Sequence, residues 1–302
     1  MSGGLDIEIH ESREHPLGVF FESLRRTRRE LYASWEPGMG TEKRRAVLTL
    51  VQDEAILLPI WLRYYSRFFA PEDIYVLDHQ STDGSTDGSG FVRIPVEHET
   101  FDNTWMRDTV QAHQHELLKR YDVVLAADVD EIVAPRPDWG TLGDYIDRFD
   151  EGFVNCLGYE VLHLKDRESP LRTDRPIMAQ RRYWFSNDAY DKAALATEPM
   201  AWELGRHPPR LGENLDPDLH LIHLHRVDYD ICQTRHRRWH DKPWNERDLK
   251  EHWATNNRIV AGEEFERWFY GDNSWLREDD ARADEGARIV VEEIPAVWRD
   301  AF

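Results

Sequence analysis

Three carboxylates follow one another closely at the end of an apolar segment, at Asp128, Asp130 and Glu131. The residues before them, 121–127, have the β-branched and apolar character of a buried strand. An ionised carboxylate removed from water needs a partner that offsets its desolvation. The simplest partner is a divalent cation, because Mg²⁺ and Mn²⁺ accept oxygen ligands and Mg²⁺ is commonly shared between carboxylates and substrate phosphates. The alternative interpretation is an exposed acidic turn after a strand.

The elements that would position these carboxylates alternate between strands and helices. Buried strands are predicted at residues 47–52, 74–77, 91–96 and 122–127, with helical segments at 55–69 and 104–120. Such alternation predicts a parallel sheet with helices on both faces. Ligands of these sheets bind beyond the carboxyl ends of the strands. Polar clusters follow three of the strands and should share that edge; they are residues 52–54, 78–83 and 128–131.

The alternation becomes less regular after residue 150. Strands are predicted at 153–164, 177–185 and 219–227, and the tryptophan-rich last quarter is predicted to form helices. We therefore expect three parts: an N-terminal extension with an arginine-rich helical face at 25–29 (1–45), an α/β domain (46–230) and a helical C-terminal extension (231–302).

The composition and net charge disfavour several classes of function. The chain has 302 residues, a formal net charge of −20 and 40% hydrophobic residues, which is typical of a globular protein. This charge disfavours binding to nucleic acid and to an anionic membrane surface. It does not exclude an anionic small ligand, because a metal and local arginines can reverse the sign within one cleft.

The two cysteines, Cys156 and Cys232, have a spacing that fits neither a zinc site nor a disulfide framework. No apolar segment resembles a signal peptide or reaches the ~20 residues of a membrane span. We expect a soluble, cytoplasmic protein with no transmembrane segment, and the oligomeric state stays open.

The order of these segments resembles the family 2 glycosyltransferases, which use nucleotide-sugars and have the GT-A fold. Residues 47–61 (VLTLVQDEAILLPIW) are similar to the first strand of that family and its continuation, with Asp53 where Asn is usual. Residues 74–85 (IYVLDHQSTDGS) resemble the segment after the second strand, and Arg107-Asp108 resembles the family's "RN" or "RD" pair. Residues 128–131 (DVDE) match the D-x-D-E metal motif. The resemblance covers about residues 46–230 and is thin after 165.

The resemblance implies a GT-A-type, Rossmann-like, mostly parallel sheet flanked by helices, and a role for each matched residue. It implies a hexosyltransferase that moves a sugar from a UDP- or GDP-linked donor to a glycan or other hydroxyl acceptor, with Mn²⁺ or Mg²⁺. Thr49, Gln52 and Glu54 would border the nucleotide. Asp78 would contact the base or ribose, and Asp83 would steady its loop. Arg107 would approach the diphosphate or the base, Asp128 would face the ribose and sugar, and Asp130 would bind the metal.

A later histidine often completes the metal shell in GT-A enzymes. His223 and His225 are candidates because i and i+2 share one face of a strand, and His207 is a further candidate. The alternative is a partly buried polar strand face. Lys192 resembles a lysine that precedes the late histidine in related sequences, but it also fits a surface lysine.

The resemblance implies an inverting reaction, in which a general base deprotonates the acceptor hydroxyl. No segment clearly matches the family's base, and four carboxylates remain as candidates: Glu160, Asp166, Asp188 and Glu203. Sugar stacking is possible for Trp105, Trp184 and Trp202, although core packing is the commoner use of tryptophan.

Three other functions compete with this one. A sugar nucleotidyltransferase generally has a glycine-rich phosphate loop after the first strand, whereas residues 52–54 are Gln-Asp-Glu. A dinucleotide-binding Rossmann enzyme is disfavoured because no G-x-G-x-x-G follows Val51. A catalytically silent GT-A-like domain that binds a glycan or a partner stays open because no base is assigned.

Overall fold

The computed structural model describes residues 9–10, 42–207, 214–271 and 291–302. Within these ranges, Ile9, His10, Asp188 and Asn256 are described by their backbone alone. Most of the predicted N-terminal extension, including the arginine-rich helix at 25–29, lies outside the described residues. The described strands are β1 (Ile9–His10), β2 (Arg45–Val51), β3 (Ile74–His79), β4 (Val92–Val96), β5 (Val123–Ala126), β6 (Glu131–Pro135), β7 (Phe153–Val161), β8 (Tyr183–Ser186), β9 (Ala193–Ala196), β10 (Leu215–His223) and β11 (Val291–Glu293). The α-helices are α1 (Leu57–Tyr65), α2 (Asn103–Leu117), α3 (Leu142–Arg148), α4 (Tyr229–Asp241), α5 (Glu246–Lys250) and α6 (Gly262–Tyr270).

All the described strands belong to one mixed sheet. Nine of them follow the order β1-β11-β8-β7-β9-β5-β2-β3-β4, and β10 pairs with both β6 and β7. Strands β5, β2, β3 and β4 are mutually parallel, and the chain leaves β2 towards β3 and β4 before it returns to place β5 on the other side of β2. This reversal between β2 and β5 is a topological switch point, where sheets of this type bind ligands.

Strand β2 shows how the sheet is covered on both faces. Its side chains alternate with period two, so Val47 and Val51 join the apolar cluster that contains Trp61 of α1, whereas Leu48 packs with Val110 of α2. Both faces of β2 are therefore buried, which explains its nearly continuous apolar sequence. The predicted α/β class, with parallel strands flanked by helices, is confirmed.

Two of the predicted strands differ from the structure. The segment predicted at 177–185 is extended only over β8, and Ile177 and Met178 enter the core from a turn that precedes it. The segment predicted at 219–227 begins earlier and ends at His223. The strand-face argument for His223 and His225 was therefore wrong, since His225 lies in the turn after β10.

The C-terminal region contains helices α4, α5 and α6, and β11 adds to the same sheet beside β8. The domain boundary at residue 230 stays a prediction. Within the described chain, no helix is long and apolar enough to cross a membrane.

Candidate metal centre

A cavity of about 420 Å³ lies at the switch point, beyond the carboxyl ends of β2 and β5. Its lining comes from both of these strand ends, from α2, from the turn after β10 and from α4. Nine candidate site residues from the sequence line it, namely Gln52, Glu54, Arg107, Asp128, Asp130, Lys192, His207, His223 and His225. The fold thus brings together residues separated by more than 170 positions.

Asp130 is the buried carboxylate at the centre of this site. Its Oδ2 accepts a hydrogen bond from Arg235 Nη1 at 2.8 Å, and its Oδ1 lies 3.7 Å from His223 Nε2. Its main chain is also fixed, because Asp130 O accepts from the Leu224 amide at 2.7 Å. Burial acts to raise the pKa of Asp130, but Arg235 and His223 hold it well below its usual range. One carboxylate oxygen is thus taken by an arginine and the other faces a histidine.

The orientation of His223 is set by Glu160. His223 Nδ1 lies 2.7 Å from Glu160 Oε2, and Glu160 Oε1 accepts from the Arg226 amide at 3.0 Å. Because the carboxylate of Glu160 can only accept, His223 Nδ1 carries a proton and Nε2 faces Asp130. Burial acts to lower the pKa of His223, whereas Glu160 and Asp130 raise it. A carboxylate behind a histidine is the usual arrangement that orients a metal-binding imidazole.

The orientation of His225 is set by His236. His236 Nδ1 lies 3.0 Å from the Ile259 carbonyl oxygen, so this nitrogen donates and His236 Nε2 is left as an acceptor. His225 Nε2 lies 2.8 Å from His236 Nε2 and must therefore be the donor of that hydrogen bond. Burial lowers the pKa of both imidazoles, to about 3 for His236 and well below its usual value for His225. His225 is therefore neutral, with the lone pair on Nδ1.

Asp130, His223 and His225 fit a divalent cation. One ligand atom from each lies within 4.8 Å of the others. The 3.7 Å between Asp130 Oδ1 and His223 Nε2 is too long for a hydrogen bond but suits two ligands about 2.1 Å from a shared ion. Two imidazoles and one carboxylate favour a transition ion such as Mn²⁺ over Mg²⁺, which prefers oxygen ligands.

Asp128 and Glu131 share two buried cations. Arg206 Nη2 lies 2.6 Å from Asp128 and 2.8 Å from Glu131, and Lys192 Nζ lies 2.5 Å from Glu131 and 3.4 Å from Asp128. Burial acts to raise the pKa of Glu131, but Lys192 and Arg206 bring it down to about 2. Lys192 is only 8% exposed, which excludes the alternative of a surface lysine. Glu131 also accepts from the Asp128 amide, so it supports the loop that holds Asp128.

Helix α4 supplies two further arginines, which the sequence analysis missed. Arg235 donates to Glu54 Oε1 at 3.2 Å as well as to Asp130, and Arg238 Nη2 lies 2.7 Å from Glu54. The helix begins after Asp228, whose carboxylate accepts from two amides of the first turn. The signal that could have revealed Arg235 is its helical spacing from Cys232 and Trp239, which places it on the inward face.

The described carboxylates of the site are matched in number by basic side chains. Glu54, Asp128, Asp130 and Glu131 pair with Lys192, Arg206, Arg235 and Arg238. Lysine and arginine therefore offset the charge of the strand-end carboxylates, so charge alone does not require the divalent cation that was predicted as their simplest partner. The metal stays a prediction, and it is supported by the proximity of two imidazoles to Asp130.

Asp78 and Thr49 do not line the cavity. The carboxylate of Asp78 accepts from the Ser81 amide, Thr86 Oγ1 and Arg93 Nε, and Arg93 lies 2.6 Å away as an ion pair. Thr49 is buried within β2, and its Oγ1 has no partner among the described residues.

The turn after β2 is fastened to the loop after β3. Asp53 has a φ of 57°, in the left-handed region where Asn and Asp are enriched. Its Oδ1 accepts from the amides of Thr82 and Asp83, and Asp83 Oδ2 in turn accepts from the Ala55 amide. Gln52, which does line the cavity, donates to the His79 carbonyl. These bonds hold the turn that presents Glu54.

Three of the four candidate bases lie outside the cavity lining. Glu160 is behind His223, and Asp166 and Glu203 are exposed without lining the cavity. The side chain of Asp188 lies outside the described residues. The carboxylates among the described lining residues are Glu54, Asp128 and Asp130, and each is paired with an arginine.

Different tryptophans line the cavity from those considered in the sequence. Trp184 stacks on Tyr159, and Trp202 is buried with its Nε1 bonded to the Ala193 carbonyl, so both serve the core. Trp105 packs against His98. The lining tryptophans are Trp239, Trp244 and Trp268.

No protein-family model and no curated protein sequence matches this chain. Among solved structures, the chain is similar to the mannosyltransferase PcManGT from Pyrobaculum calidifontis in complex with GDP-Man and Mn²⁺. The identity is 15%, the TM-score 0.37, and 83% of this chain and 76% of that chain are covered. The galactosyltransferase LgtC, in complex with donor and acceptor sugar analogues, matches at 12% identity and a TM-score of 0.24, with 85% and 100% of the two chains covered. These neighbours are glycosyltransferases, but likeness at this level carries no argument about function.

Proposed function

We propose that this protein is a metal-dependent glycosyltransferase that moves a sugar from a nucleotide-diphosphate sugar to an acceptor hydroxyl. The observation that carries the proposal is the arrangement of Asp130, His223 and His225 around one point of the switch-point cavity. The resemblance of residues 128–131 to the D-x-D-E motif supports the same conclusion from the sequence. A UDP- or GDP-linked donor, Mn²⁺ in preference to Mg²⁺, and inversion at the sugar carbon belong to this proposal.

The chain's own residues have distinct tasks in this reaction. Asp130, His223 and His225 would hold the ion, and the bound ion would offset charge that develops on the diphosphate as the glycosidic bond breaks. Arg206 and Lys192 face the cavity beside Asp128 and would bind phosphate or sugar oxygens.

The charge of the site also suggests how the donor binds. Since the described carboxylates are already paired with lysine and arginine, a divalent ion alone would add unbalanced positive charge. A diphosphate diester carries about two negative charges and would restore the balance. Metal and donor should therefore bind together more strongly than either alone.

The border of the nucleotide is proposed to be formed by Gln52, Glu54 and Arg107, which line the cavity. Thr49, Asp78 and Asp83 would act indirectly, by holding β2 and the loop after β3. Glu160 is proposed as a residue that positions His223 and not as the base. No base is proposed among the remaining candidates.

The experiment is a calorimetric titration of the full chain with UDP, GDP and their sugars, with and without Mn²⁺. Asp130→Asn should abolish the Mn²⁺-dependent part of nucleotide binding. The matched control is Asp174→Asn, an exposed aspartate paired with Arg172, which should bind as the native chain does. If no nucleotide binds with any metal, or if Asp130→Asn binds normally, the proposal is wrong.

A second candidate, a silent domain that binds a glycan or nucleotide-sugar without turnover, is favoured by one observation. Each carboxylate among the described cavity-lining residues is already paired with an arginine. Measurement of nucleoside-diphosphate release separates the two candidates. Binding without release for every donor and acceptor tested would favour the silent domain.

A further inference from the structure

His225 also belongs to a second group of metal-ligating side chains. Cys232 and His236 are four residues apart on α4, so they share one face of the helix. One ligand atom each from His225, Cys232 and His236 lies within 4.8 Å of the others. From their spacing along the chain, Cys156 and Cys232 were expected to form no zinc site. The fold instead brings a single cysteine to two histidines.

His236 is already oriented as a ligand. Its Nδ1 donates to the Ile259 carbonyl at 3.0 Å, which leaves the lone pair of Nε2 facing His225. A carbonyl or carboxylate behind the imidazole is the usual second contact of a metal-binding histidine. The 2.8 Å between the two Nε2 atoms would have to widen by about half an ångström to seat an ion about 2.0–2.1 Å from each.

The surroundings suit a soft cation. Cys232 and His236 are fully buried, and the ring of Trp268 packs against His236 at a centroid distance of 4.5 Å. Burial raises the pKa of the Cys232 thiol well above its usual value, and nearby Arg235 and Arg226 oppose this shift only in part, so the thiol keeps its proton until a cation displaces it. Thiolate and imidazole are the ligands that Zn²⁺ prefers. His225 and Trp268 line the cavity, which gives an ion a route of entry.

We propose that His225, Cys232 and His236 form a second metal site that binds Zn²⁺, and that its occupation weakens Mn²⁺ binding at Asp130 and His223. The second half of this inference rests on the proposed function. On binding, the thiol proton of Cys232 leaves to solvent, and the proton of His225 moves from Nε2 to Nδ1. A neutral imidazole has one lone pair, so His225 can serve only one of the two sites at a time.

The first test uses Co²⁺ as a spectroscopic substitute for Zn²⁺ in the full chain. A thiolate ligand gives a sulfur-to-cobalt charge-transfer band in the near ultraviolet. We expect this band in the native protein, its loss in Cys232→Ser and Cys232→Ala, and its retention in Cys156→Ser. Cys156 is the matched control because it is also free and buried. Absence of the band in the native protein overturns the proposal, and so does its persistence in either folded Cys232 variant.

The second test separates this site from the proposed donor site. Asp130→Asn should keep the charge-transfer band, because Asp130 is not a ligand of the second site; loss of the band only in this variant would refute the assignment. One equivalent of Zn²⁺ should raise the Kd for Mn²⁺, measured from the electron paramagnetic resonance of free Mn²⁺, by about tenfold. The rise should be smaller in Cys232→Ser. An equal rise in the native protein and in Cys232→Ser would mean that Zn²⁺ competes at Asp130 itself.

Discussion

Replacement of Glu160 by glutamine separates its two possible roles, that of a general base and that of a residue that positions His223. The carboxylate accepts from His223 Nδ1 at 2.7 Å and from the Arg226 amide at 3.0 Å. Glutamine has nearly the same shape but only one acceptor oxygen. The amide of Arg226 cannot change its role, whereas an imidazole can change tautomer. We therefore expect the carboxamide oxygen in Glu160→Gln to stay with Arg226 and the carboxamide nitrogen to face His223.

The expected consequence of Glu160→Gln is weaker binding of Mn²⁺. A donor group opposite Nδ1 favours the tautomer with its proton on Nε2, which is the nitrogen that faces Asp130. Loss of one charge-assisted hydrogen bond costs about 1.5–3 kcal/mol. At about 1.4 kcal/mol per factor of ten, this equals a weakening of Mn²⁺ binding by roughly 10–100-fold.

The assay is the Kd for Mn²⁺, measured by titration calorimetry in the presence of a nucleoside diphosphate, with thermal unfolding to show that the fold is kept. The matched control is Glu168→Gln, because Glu168 also accepts from main-chain amides, those of Leu164 and Arg182, but does not line the cavity. The control should bind Mn²⁺ as the native chain does. Unchanged Mn²⁺ affinity in Glu160→Gln together with a large fall in kcat would refute the positioning role and favour the base.

Three further outcomes are expected. The pKa of Glu131 is lowered from 4.5 to about 2, so its contribution to stability, on the order of 3 kcal/mol, is present above pH 4.5 and is lost as the pH falls towards 2. In Glu131→Gln, the free energy of unfolding measured with denaturant should depend less on pH within this window. An unchanged pH profile would contradict the pairing of Glu131 with Lys192. Gly158→Ala places a Cβ about 2.6 Å from main-chain atoms of Asn187 and Tyr190, and it should lower the free energy of unfolding by about 1–3 kcal/mol. The control Gly262→Ala, whose Cβ meets nothing within 4 Å, should not lower it. Equal melting temperatures for the two variants would show that the structure around Gly158 in β7 relaxes without cost. Removal of metal by a chelator should abolish donor binding. Mn²⁺ should restore donor binding at a lower concentration than Mg²⁺ does, because two of the proposed ligands are imidazoles. Full donor binding after chelation would contradict the metal-dependent site.

The parallel core could be predicted because its signals are local. The apolar character of residues 47–51 and 123–126 follows from burial on both faces of the sheet, and the polar residues after them follow from the position of the strand ends. The sequence also placed Glu54, Asp128 and Asp130 at one edge. Pairing of β2 with β5 then brings these residues to one cavity.

Other parts of the site depend on long-range contacts that leave no local trace. Arg206 belongs to no periodic pattern in the sequence, and it reaches Asp128 from a single turn with a φ of 59°. Arg235 lies 105 positions from Asp130 in the sequence, yet its guanidinium joins Asp130 to Glu54. Glu160 could be noticed as a carboxylate, but only the pairing of β7 with β10 shows that it stands behind His223.

The sequence by itself determined the class of fold, the edge at which chemistry is possible and the acidic motif at residues 128–131, because strand burial and strand ends are written in neighbouring residues. The tertiary structure decided what the motif is surrounded by. Lys192, Arg206 and Arg235 offset its charge, so the need for a metal could not be argued from charge alone. Glu160 holds His223 with its Nε2 facing Asp130, and His236 sets the tautomer of His225; only the folded chain brings these residues into contact.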